Sequence, residues 1–170
     1  MGKKSIKENK NMYQLYREQA NLTRDKASEL LDFMSSDRIE KIESEKSLPH
    51  PDEVLAMSEC YKSPDLCNRY CSHECPIGQK YVPEVKLKDL SQIVLEMLAS
   101  LNSIEKEKNR FIEITADGEI TSDEYHDFAV IQNQLDKISV SVNALQLWVQ
   151  KTIVEGKIDN DELEKARAEI

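Results

Sequence analysis

Apolar positions recur along the chain three and four residues apart, in segments broken by polar punctuation, which is the signature of amphipathic helices. Met12, Leu15, Tyr16 and Ala20 make a first short stripe, and Asn21 behind it suits the left-handed conformation that closes a helix. Thr23 is placed to cap a second helix reaching Leu31, with Asp25 in its first turn and Ala27, Leu30 and Leu31 inward. Asp32-Phe33-Met34 reads as a brief turn. Ser35 or Ser36 caps a third helix to about Glu43, with Ile39 and Ile42 inward. A loop over 44–51 follows. Pro51 fits the first position of a fourth helix, which buries Val54, Leu55, Met57 and Tyr61 and stops before Pro64.

Residues 65–83 carry the cysteines and read as irregular, ended by Pro76, Gly78 and Pro83. Beyond them the stripes lengthen. Val85 to about Ile114 reads as a long helix on Leu87, Leu90, Ile93, Val94, Met97, Leu98, Leu101 and Ile104. Ser122 to about Glu155 reads as a second, on Phe128, Ile131, Leu135, Ile138, Val142, Leu145 and Val149, and a short last helix starts near Asn160. The fold class expected is all-α, with four or five short helices followed by a long antiparallel hairpin. Its divisions are a basic tail over 1–9, a helical domain over 10–64, a connector over 65–83 and the hairpin over 84–170.

Composition narrows the functional classes. Of the 170 residues 39 % are apolar and 32 % charged, which supports a modest core of half-wet helices. The net charge of −9 counts against a broad phosphate-binding surface. The imbalance is local, however: residues 1–50 hold 10 basic against 9 acidic side chains, so any nucleic acid is met by that third. No apolar run approaches the roughly 18 residues of a membrane span, and no apolar stretch follows Lys3 and Lys4 as in a secretory signal. A cytoplasmic location is expected. No Gly-rich phosphate loop or nucleophile elbow occurs, and His50, His73 and His126 have no acid–base partner pattern, so no enzyme is expected.

The segments Leu22–Leu31, Ser35–Glu43 and Pro51–Leu55 resemble the XRE/Cro-type helix-turn-helix family in helix length, turn placement and inward residues. The resemblance covers about a third of the chain. It implies a bacterial, DNA-binding transcription regulator whose third helix enters the major groove of double-stranded DNA. Carried over, Arg24 contacts phosphate. Ser35, Ser36, Asp37 and Lys41 face base edges, and Arg38 beside them reaches a phosphate or the guanine edge. The third helix and its exit also carry Asp37, Glu40, Glu43 and Glu45, and carboxylates weaken phosphate binding. A second reading therefore stands beside the first: an adaptor or antagonist that uses the same fold to dock a protein.

Cys60, Cys67, Cys71 and Cys75 fall close together. On one continuous helix the last three would share a face but span about 12 Å, too far for one ion. A shared site needs the helix to bend near Ser72-His73. With that bend, the four thiols, with His73 or His50 as substitutes, could hold zinc or an iron–sulfur cluster. The alternative is four reduced, partly buried cysteines.

Asp117-Gly118-Glu119-Ile120 through Glu124 resembles the second half of a calcium loop, but Glu113 and Thr115 stand where the first ligands belong. Helix ends at Gly118 and Gly156, followed by Thr121/Glu124 and Asp159/Glu162 capping pairs, explain both turns without calcium. The second long helix is apolar over more than one stripe and carries Trp148, which points to a homodimer through the hairpin or to packing within one chain.

Overall fold

The computed structural model describes residues 10–170; the tail expected over 1–9 lies outside the described residues. The elements are α1 (Met12–Gln19), α2 (Arg24–Leu31), α3 (Ser36–Glu43), α4 (Pro51–Cys60), α5 (Asp65–His73), α6 (Pro76–Tyr81), α7 (Leu90–Ile114), α8 (Tyr125–Val154) and α9 (Asn160–Ala168). Among the described residues there is no strand, and the chain is all-α. None of these helices is long and apolar enough to cross a membrane.

Local chemistry sets the helix starts. Asn11, Thr23 and Ser35 each cap their helix by accepting a bond from the third residue on, at Gln14, Lys26 and Arg38. Pro51 opens α4, and Glu53 reaches back to accept from the His50 backbone N–H at 2.7 Å. Asn21 ends the first helix at φ 57°. Gly118 and Gly156 take φ 78° and 70° at the turns after α7 and α8. Thr121 donates to Glu124, and Asp159 caps α9.

Two compact units result: one runs to Glu84 and regains Gln150–Ile170, and the other is Val85–Val149. The core of unit one is Tyr13, Ala27, Leu31, Met34, Ile39, Ile42, Val54, Met57, Tyr61 and Leu66, all essentially closed to solvent. The last turn of α8 belongs to this unit. Lys151 Nζ donates to the Lys62 carbonyl at 3.1 Å, and Val154 and Glu155 line a groove with Leu22, Leu30 and Cys60.

Several expectations are corrected here. Leu30 and Leu55 are exposed rather than inward, while Met34, expected in a turn, is buried. Helix α2 is only two turns long, so its core face is filled by Ala27 and Leu31. The chain then reverses at Asp32 (φ 54°) and carries Met34 inward instead. The connector is helical, not irregular: α5 adds Leu66 to the core, and α6 folds back on α5. Helix α7 begins at Leu90, not Val85. Asp89 is still extended, and Val85 packs from extended chain onto Ile93.

Unit two is an antiparallel hairpin. Arg110 of α7 pairs with Asp127 of α8 at 2.6 Å at one end. Ile93 packs with Ala144 and Leu147 at the other. The buried residues of α7, Ile93, Ser100 and Ile114, fall on one row at multiples of seven.

Candidate nucleic-acid interface

The first turn of α2 lies across α3. Arg24 Nε bonds Glu43 Oε2 at 2.8 Å at the end of α3, and Ser36 Oγ donates to Asp25 Oδ1 at 2.8 Å at its start. Beneath this crossing, Arg17 of α1 reaches the same Glu43 with two bonds, Nε–Oε1 at 2.5 Å and Nη2–Oε2 at 2.9 Å. Burial alone would lower the Arg17 pKa; the hydrogen bond and charge of Glu43 outweigh it and raise it. The inward side of α3 is thus Ile39, Ile42 and a carboxylate held by two guanidinium groups. Its outer side carries Asp37 and Lys41, both exposed, with Ser36 partly so.

The six expected DNA-facing residues are brought together at the start of α2 and along α3, but their chemistry differs. Ser35 is spent on capping. Arg24 has one nitrogen on Glu43 and keeps about a third of its side chain open. Arg38 is bound on every side: a fork onto Glu53 at 2.7 and 2.6 Å, Ser47 Oγ at 2.6 Å and the Leu48 carbonyl at 3.0 Å. That fork holds Arg38 charged. It also holds the Glu53 carboxyl below the usual range, against the opposing effect of burial and with help from the His50 N–H. Arg38 therefore fastens α3 to the start of α4. Nearby surface charges pair among themselves, Lys26 with Glu29 and Lys46 with Glu40.

The cysteines sit at the junctions. Cys60 ends α4, Cys67 and Cys71 lie one turn apart on α5, and Cys75 caps α6, accepting from the Gly78 N–H at 3.5 Å. Helix α5 ends at His73, where a shared site would need the chain to bend. All four are partly buried free thiols. Burial raises the Cys60 pKa, and burial with the neighbouring Cys75 and Cys67 raises that of Cys71. Among the described residues no three His, Cys, Asp or Glu side chains converge as an ion would need. His73 instead faces Ser72 and Glu84.

Compared with known proteins, the chain matches no family model, no curated protein and no solved structure.

Arg17, Glu43 and Glu53 organise this region, and charge counting alone passes over them. The signal is positional. Glu43 follows Ile39 by four residues and Ile42 by one, and Arg17 follows Tyr13 by four, so both stand on core faces.

Proposed function

We propose that α2 and α3 act as a helix-turn-helix pair and that the chain is a sequence-specific DNA-binding regulator of the XRE/Cro kind. One observation carries this reading: α3 is locked from inside through Glu43 while its outer side is open at Asp37 and Lys41 and partly so at Ser36. A rigid, uncovered short helix can enter a groove without rearrangement. Arg24 and Lys41 supply phosphate grip. Ser36 and Asp37 supply base contacts. Arg38 positions α3. A cytoplasmic location goes with this role.

The test is binding to a randomised duplex pool across a salt series. Affinity should fall with salt, with a slope matching only a few phosphate contacts. It should be lost in an Arg24→Ala/Lys41→Ala double variant and shift in preferred sequence in Ser36→Ala. No sequence enriched at low salt would overturn the reading.

A protein-docking role is favoured by a different observation. The arginines beside α3 are committed to carboxylates, while Asp37 and Glu45 face outward and Leu48 and Leu55 are exposed. Zinc or an iron–sulfur cluster on Cys60, Cys67, Cys71 and Cys75 would require α5 and α6 to move, and elemental analysis of the purified chain decides it.

A further inference from the structure

We infer that the hairpin of unit two pairs, face to face, with the same hairpin of a second copy of the chain. The two sides of the hairpin differ in chemistry. One is a groove lined by Glu96 and Ala99 of α7 and by Asn133, Asp136 and Lys137 of α8. The helices meet along the row of Ile93 and Ser100. The next rows, turning away from the groove, are apolar on both helices: Leu90, Met97 and Ile104 then Val94 and Leu101 on α7, with Ile131, Ile138 and Leu145 then Leu135 and Val142 on α8. The angular order of residues around each helix puts both sets on the one side opposite the groove.

These rows repeat by alternating threes and fours, the 3.5-residue period of a seam that helices bury between them. Within one copy the seam stays half open. Leu90 and Val94 are each 39 % exposed, Leu101 45 %, Leu135 46 % and Val142 41 %. The internal contact cannot close it, because α7 and α8 meet one row away.

The rim identifies the occupant. Although the chain carries a net −9, the residues just outside the open rows are Ser91 and Leu98 on α7 and Gln132, Ser139 and Gln146 on α8, and the charges on this side are Glu105 and, one heptad beyond Leu101, Lys108, which pair with each other at 3.4 Å. A charged partner would find almost nothing to pair with. A second copy meets only Glu105 and Lys108, already neutralised by each other, and the same patch on both partners is what a two-fold axis requires. The open faces and rims named here comprise fewer than 20 positions per copy, just below the about 20–30 residues a side of a standard stable interface. Packed at the shallow angle of 3.5-period seams, the pair forms a four-helix bundle.

This proposal does not depend on DNA binding. Sedimentation or light scattering of the full chain at micromolar concentration should give twice its 19.6 kDa. A Val94→Glu/Val142→Glu variant should be monomeric with unchanged helical circular dichroism, and Asp136→Lys on the groove side should stay dimeric. A monomeric wild-type chain overturns the proposal without any variant. So does a wild-type dimer that survives the two glutamates with its helices intact, because its interface then lies elsewhere.

Discussion

Arg17 and Glu43 form a two-bond ion pair between α1 and α3 that is almost closed to solvent, with 7 % of the arginine side chain and 1 % of the glutamate side chain exposed. Charges at such depth hold only while each has the other. Glu43 also accepts from Arg24, so one carboxylate fixes three helices. Glu43→Gln or Arg17→Met should each cost about 3–5 kcal/mol in urea unfolding, the usual cost of orphaning a buried charge. The Arg17→Met/Glu43→Leu double variant should recover most of that loss.

The Arg38–Glu53 pair makes stability depend on pH. Glu53 has a folded-state pKa below its unfolded value, chiefly through Arg38. Its contribution is therefore complete above the ordinary glutamate value of about 4.3 and is lost as pH falls through the lower folded value. Glu53→Gln should lower the urea midpoint at pH 7. The gap between wild type and variant should close as pH falls below about 4.

Glu45 leaves α3 at φ 61°, the left-handed region where a side chain is strained. Glu45→Gly should stabilise the chain by about 0.5–1 kcal/mol, the strain relieved outweighing the entropy glycine adds to the unfolded state. If α3 meets DNA, removing this carboxylate should also raise affinity at fixed salt.

Gly78 lies where α6 crosses α5. A methyl group there would stand 2.1 Å from the Cys71 carbonyl oxygen and 2.6 Å from its carbon, both backbone atoms that cannot turn aside. Gly78→Ala should push α6 off α5, at a cost of about 1–3 kcal/mol. Faster reaction of Cys71 with a thiol reagent would report the opening.

Much of the fold could be read from spacing. Asn21, Thr23, Ser35 and Pro51 mark helix boundaries through their own backbone and capping chemistry, so the short helices fall close to where the stripes place them. What spacing hides is depth. Leu30 and Leu55 have the composition of core residues, yet helices of eight and ten residues have room for fewer inward side chains than the stripe offers. The connector was illegible because Pro76 and Gly78 read as breakers, whereas Pro76 opens α6 and Gly78 lets it approach α5. The candidate site was legible in position but not in commitment. Nothing local in the sequence says that Arg38 and Arg24 are taken by carboxylates 15 and 19 residues away.

The return of Gln150–Ile170 to the unit of the first helices has a consequence for synthesis. On the ribosome α1–α6 emerge early, yet the segment carrying Lys151 appears only after all of Val85–Val149 has been translated. Until then the nascent first unit leaves the Lys62 carbonyl and the groove beside Leu22 and Cys60 uncovered. Final consolidation of the first unit thus waits for the segment beyond the hairpin, and its delay is set by the length of Val85–Val149.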